Sequence, residues 1–179
     1  MREVKGYRLT AFTLIEIMVV LLVIGLIATL VFPSFGNFEL SRLKVQARRI
    51  QSAVYLTYNL SVMEKANYRL VFDLDKQCWY AEKKQGIEYV PASNELLLEH
   101  CLPDSVWIEE LEVLDRELFK TGKEYIHFSP FGYSEPARIY ITNESNNPGS
   151  GYTLFTEPMT GEVRVYEGRV QYKDLENLK

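Results

Sequence analysis

The chain has 179 residues, 47% of them hydrophobic and 25% charged, with a net charge of −4. That length holds one domain plus an appendage, and about 145 residues remain for a single core once an N-terminal apolar segment is set aside. The acidic balance excludes broad nucleic-acid affinity, which needs basic surface to displace counterions, and plentiful Tyr and Phe fit a β-rich domain.

The chain opens on a short basic head, Arg2, Glu3, Lys5 and Arg8, whose three bases and one acid leave the remainder near −6. Ile17 to Phe32 follows as 16 residues without a charge, or 21 counted from Phe12 across Glu16. A membrane helix needs roughly 20 apolar residues. A span is therefore predicted over 12–33 with Glu16 near the interface, where a carboxylate costs less than at the bilayer centre. A secretory signal carries its small-residue cut site after the apolar core. Here the small residue, Ala11, precedes the run, which stays on the mature protein. Arg42, Lys44, Arg48 and Arg49 beyond the span balance the bases before it, so charge alone gives no orientation.

After Pro33 an amphipathic helix is predicted over 34–66. Leu40, Leu43, Ala47, Ile50, Val54, Thr57 or Tyr58, and Val62 recur at spacings of three and four, one apolar stripe. Arg42, Lys44, Arg48, Arg49 and Gln51 fill the other faces. Pro33, with Gly25 and Gly36, is expected to interrupt the helix, since proline removes an intrahelical hydrogen bond and kinks the chain.

From Tyr68 the apolar period changes to two. Tyr68–Leu74 and Gln77–Glu82 flank Asp75-Lys76 as a hairpin, and Ile87–Val90 adds a short strand. Residues 91–104 read as irregular, with Leu96, Leu97 and Leu98 tucked against the core. Strands follow at Val106–Val113, at Tyr125–Ser129 before the turn Pro130-Phe131-Gly132, and at Ala137–Thr142. Tyr152–Thr156 and Glu162–Tyr166 are joined by the turn Pro158–Gly161. The predicted fold is α+β: a long N-terminal transmembrane-plus-amphipathic helix packed on a mostly antiparallel sheet of about six to eight strands within 67–179.

Little in the chain suggests reaction chemistry. Cys78 and Cys101 are too far apart for a CxxC pair, and a disulfide or two buried thiols both stay open. His100 and His127 have no catalytic companions in sequence, and HExxH, P-loop and GxGxxG patterns are lacking. The chain reads as a non-enzyme without metal or cofactor. Asn143–Asn147 has one carboxylate and reads as a solvated loop rather than a Ca²⁺ site. Glu95 to Glu124 carries nine acids against Arg116, Lys120 and Lys123, a local net of −6, either a docking surface for a basic partner or a solvated face.

The basic head, the Ala11-Phe12 junction and Glu16 after Thr13-Leu14-Ile15 resemble the leader and first turn of type IV pilins and type II secretion pseudopilins. The resemblance implies that residues 1–11 are a leader, that prepilin peptidase cuts between Ala11 and Phe12, and that the new amine of Phe12 is N-methylated. It implies too that Glu16 pairs with the Phe12 amine of a neighbouring subunit. Such pairing offsets the cost of burying a lone carboxylate and fixes the axial register of one helix on the next. Leaders of this kind usually end in Gly; Ala11 is a departure, and slower processing is expected. A leader cut in this way faces the cytoplasm, placing the C-terminal domain in the periplasm, and a bend at Pro33 accompanies assembly.

A second resemblance lies at the other end. Phe128-Ser129-Pro130-Phe131-Gly132, Ile139 and Pro158 to Val165 are similar to the C-terminal pattern of H-type minor pseudopilins and the related FimT/FimU minor pilins; residues 83–124 match neither pattern. Together the two resemblances imply a minor pseudopilin, an inner-membrane subunit of a type II secretion pseudopilus that supports protein export across the outer membrane. Its partners would be other pseudopilins, prepilin peptidase, an inner-membrane assembly platform powered by a cytoplasmic ATPase, and membrane lipid. The alternative is a minor pilin of a type IV pilus, acting in priming, adhesion or DNA uptake. The near-balanced tail 169–179 disfavours DNA.

Overall fold

Thr13 opens the first helix, α1 (Leu14–Val31), by accepting the Glu16 amide proton on its side-chain oxygen at 3.3 Å and on its carbonyl at 3.1 Å. The Thr-x-x-Glu spacing is that of a capping box, and an acid in the first turn also suits the positive end of the helix dipole. The computed structural model describes residues 13–31, 38–114, 116–143 and 151–177. Two compact units, Met1–Phe38 and Glu39–Lys179, make up the chain. Contrary to expectation, α1 runs through Gly25 without a break; a helical glycine costs about 1 kcal/mol against alanine but keeps its hydrogen bond. Pro33 and Gly36 lie outside the described residues.

Helix α2 (Phe38–Met63) buries Leu43, Ala47, Ile50, Val54 and Thr57, the stripe expected from the sequence. The stripe then continues to Ser61 rather than Val62, which is 39% exposed. At 3.6 residues per turn Ser61 returns above Thr57, whereas Val62 is carried well round the cylinder. The helix stops in a Schellman arrangement: Lys65 takes a left-handed φ of 49°, and Ala66 N–H donates back to the Ser61 carbonyl at 3.1 Å.

Two antiparallel sheets follow where one was expected. The first is built from β1 (Tyr68–Asp73), β2 (Cys78–Gln85), β3 (Glu88–Pro91), the two-residue β4 (His100–Cys101), β7 (Lys123–Ser129) and β8 (Tyr133–Ser134). Its order is β3-β2-β1-β7-β8, with β4 paired to the start of β2 on the edge that β3 occupies further along. The second holds β5 (Val106–Val113), β6 (Leu118–Phe119), β9 (Ala137–Asn143), β10 (Gly151–Thr156) and β11 (Val163–Glu167), in the order β11-β10-β9-β5-β6. The chain changes sheet after β4, after β6 and after β8. Strands of two residues, β4, β6 and β8, are too short to show a period.

A bulge interrupts β5 where Ile108 pairs Ile141 but Glu110 pairs Tyr140. The extra residue, Glu109, reverses the alternation, so Val106 and Ile108 before it and Leu111 and Val113 after it all reach the core. Strand β9 is buried along its whole length, on both faces, although its alternation suggested one wet face. Ile139 and Ile141 join the apolar cluster; Arg138 is covered by ion pairs and Tyr140 by the Arg169 guanidinium, 4.7 Å from the ring centre. The core is one cluster drawn from α2 and from both sheets.

Residues 91–104 hold a short 3-10 turn, Glu95–Leu97, with Asn94 accepting the Leu96 amide proton at 2.9 Å. Only Leu97 is buried; Leu96 is 75% and Leu98 51% exposed, contrary to the expected tucking of all three. Side chains on a 3-10 turn point about 120° apart, so one in three faces the core.

Candidate functional site

Of the residues singled out at the N-terminus, Glu16 is described, whereas Ala11 and Phe12 lie outside the described residues. Glu16 sits in the first turn of α1, and every large apolar side chain from Leu14 to Ile27 is exposed. A helix apolar all round belongs in a bundle or a lipid phase rather than in water. Among the described residues no helix is long and apolar enough to cross a membrane; the 18 residues of α1 span about 27 Å against a hydrocarbon core of about 30 Å.

The two C-terminal turns of the resemblance meet at one side chain, Tyr58 of α2. Its hydroxyl donates to the Met159 carbonyl at 2.8 Å and to the Gly132 carbonyl at 3.2 Å. Gly132 and Gly161 both have left-handed φ, 78° and 65°. A Cβ on Gly161 would fall 2.3 Å from the Tyr58 ring. Ser61 adds a bond to the Ser129 carbonyl at 3.2 Å, and Ser134 N–H donates to the Pro158 carbonyl at 2.8 Å. The turns therefore dock α2 onto both sheets. Tyr58 appeared in the sequence only as an alternative stripe position, and nothing in the spacing marked it as a bridge.

On another side of α2 lies an open groove of about 550 Å³. Its floor includes Trp79, whose indole N–H has no acceptor among the described residues. His100 closes the groove between Trp79, 5.2 Å away centre to centre, and Arg49, whose guanidinium lies 3.1 Å from His100 Nε2. The same Nε2 lies 3.3 Å from Gln46 Oε1, so this nitrogen faces a donor, the guanidinium, and an acceptor, the amide oxygen. Burial, then the Arg49 charge, hold His100 below its ordinary 6.5. One residue on, Cys101 faces Cys78 across the β4–β2 pair, and their sulfurs lie 1.98 Å apart as a disulfide. His127 is half buried, and burial lowers its pKa also.

The acidic run turns inward. Arg138, buried in β9, holds Glu110 at 3.1 Å and Glu112 at 2.7 Å. Lys120 reaches Glu110 at 3.2 Å, Arg169 binds Glu109, and Arg116 bridges Glu124 and Glu135. Burial would raise the Glu110 pKa, but Lys120, Arg138 and Arg169 together hold it below its ordinary 4.5. Four of the nine acids are thus neutralised within the fold, which corrects both the docking and the solvated reading for 109–112 and 124. Arg116 and Lys120 belong to the run itself, whereas Arg138 of β9 and Arg169 of the C-terminal segment are too distant in sequence to pair by inspection. Asp115 and residues 144–147 of the oxygen-rich loop lie outside the described residues.

No family model and no curated protein matches the chain. Among solved structures it is similar to two of the minor pseudopilin EpsH from the type 2 secretion system of Vibrio cholerae. One superposes with a TM-score of 0.60 at 10% identity, over 73% of this chain and 99% of that one. The other gives 0.58 at 12% identity, over 73% and 97%. The α+β arrangement of helices and antiparallel sheets is similar to the fold of these minor pseudopilin structures.

Proposed function

We propose that this chain is a minor pseudopilin, a non-enzymatic structural subunit of a type II secretion pseudopilus. The likeness of its fold to nearly the whole of the solved EpsH chain is the observation that carries the reading. In this reading residues 1–11 are removed by prepilin peptidase between Ala11 and Phe12, and Phe12 is N-methylated. Residues 12–33 anchor the subunit in the inner membrane, bending at Pro33, and 34–179 stand in the periplasm. The exposed apolar surface of α1 supports an anchor that later joins a helix bundle. In the same reading Glu16, in the first turn of α1, pairs with the Phe12 amine of the next subunit. The Cys78–Cys101 disulfide supports an oxidising compartment for the β-domain. A minor pilin of a type IV pilus shares the same N-terminal logic; the EpsH likeness favours the secretion machine.

The test is made in the native host. Mass spectrometry of the membrane-extracted protein should find a methylated N-terminus at Phe12, and deletion should impair protein export without removing surface pili. An intact Met1 terminus, or undisturbed export, overturns the proposal.

A further inference from the structure

We infer that the groove beside α2 is a docking site for an amphipathic helix of a partner protein. One wall is a face of α2 on which Val45, Arg48, Arg49 and Leu56 follow one another at helical spacing. From Val45 to Leu56 this wall runs about 17 Å, the length of three helical turns. The facing wall is the 3-10 turn and the residues after it, where Leu96 and Leu98 stand exposed while Leu97 between them is fully buried.

That facing wall is fixed at both ends of the exposed pair. Leu97 anchors it in the core, and the Cys78–Cys101 disulfide ties down the strand that follows. The leucines are thus held out toward the groove with no freedom to fold back. Two leucines presented in this way lose little entropy when covered, which is the property of a preformed binding surface.

Charge selects the occupant. Arg48 and Arg49 line one long side, Glu95 and Glu99 the other, and among the described residues no ion pair spans the groove. A helix lying between them meets bases on one flank and acids on the other. The matching partner carries an aliphatic stripe at i, i+3 and i+7, an acidic row on one flank and a basic row on the opposite flank. A simple anion would meet the glutamates, and a simple cation the arginines, so neither fits the whole groove. The occupant is defined by this chemistry and does not presuppose a filament.

The experiment uses the full chain in lipid nanodiscs and three labelled synthetic helices of about 14 residues, a little over three turns. All share one leucine stripe; their flanks are Glu and Lys, Glu on both sides, or Lys on both sides. Fluorescence anisotropy should show the mixed-flank helix binding about tenfold more tightly than either other. Leu98→Asp should weaken it about tenfold, and Leu96→Asp, at a more exposed position, provides the same reading should the first variant fold poorly. Arg48→Glu with Arg49→Glu should transfer the preference to the Lys-flanked helix. Equal binding of the three helices, binding no better than to empty nanodiscs, or indifference to the aspartates overturns the inference.

Discussion

A methyl group on Gly161 would fall 2.3 Å from Cγ of Tyr58, so the β10–β11 turn can close over α2 only where that position has no side chain. The same tyrosine donates to the Met159 carbonyl in that turn and the Gly132 carbonyl in the β7–β8 turn. Gly161→Ala, with both the clash and its left-handed φ, is expected to cost about 2–4 kcal/mol. Tyr58→Phe is expected to cost about 1–2 kcal/mol through lost hydrogen bonds. In a Tyr58→Ala background Gly161→Ala should cost clearly less, because its steric opponent is gone. Urea unfolding of the wild type, the two single alanine variants and their double variant checks this; strict additivity would show that the contact is not the cause.

The Arg138 cluster makes stability sensitive to acid. The folded-state pKa of Glu110 lies below 4.5, so its ionised form stabilises the fold above that pH, and the contribution is lost as pH falls from 4.5 through the depressed value. Glu110→Gln should flatten the loss of thermal stability in that window. Arg138→Ala, which leaves Glu110 buried beside one fewer cation, should cost about 3–5 kcal/mol at neutral pH.

Protonating His100 places a second cation against Arg49. Because burial lowers its pKa from 6.5, the stabilisation is present above 6.5 and fades as pH falls below it through the lowered value. Trp79 fluorescence, read in a Trp107→Phe background, should therefore titrate with a midpoint below 6.5. His100→Gln should abolish the transition; a midpoint above 6.5 would contradict the burial argument.

Replacing both Cys78 and Cys101 by Ala opens the covalent loop that carries β3 and the 3-10 turn. The expected cost is about 3 kcal/mol, with proteolytic cuts appearing first within 86–104. Cuts distributed evenly over the domain would mean that the disulfide serves the whole fold rather than this segment.

Glu16→Ala should leave membrane insertion unchanged, since it removes only a charge from an apolar helix, yet prevent incorporation into filaments. Fractionation of membranes and sheared filaments separates the two. Normal incorporation would refute the pairing of Glu16 with a neighbouring amine.

Local periodicity made much of the fold readable. The stripe Leu43 to Thr57, the hairpin at Asp75-Lys76 and the turn at Pro158–Gly161 follow from spacing and turn chemistry that act within a few residues. What escaped was long-range. Gln77 reads as the first residue of a strand, yet it lies in the β1–β2 turn with a φ of 55°, and its side chain accepts the Ile108 amide proton at 2.6 Å and donates to the Ile108 carbonyl at 3.2 Å, tying that turn to the second sheet. Arg138 looks like the wet position of an alternating strand and is buried, because Glu110 and Glu112 arrive from β5. The division into two sheets depends on which strand each edge accepts, and no local pattern records that choice.

The alternating visits to the two sheets also set an order of events for the nascent chain. Strand β1 pairs with β2 at once, but its other neighbour, β7, is made only after β5 and β6. Strand β5 in turn waits for β9, leaving Val106, Ile108, Leu111 and Val113 without their cover until most of the chain has emerged. A polypeptide delivered from its N-terminus therefore cannot finish one half of the domain before starting the other. The apolar face of β5 stays uncovered until β9 arrives, and the second sheet closes only with β10 and β11.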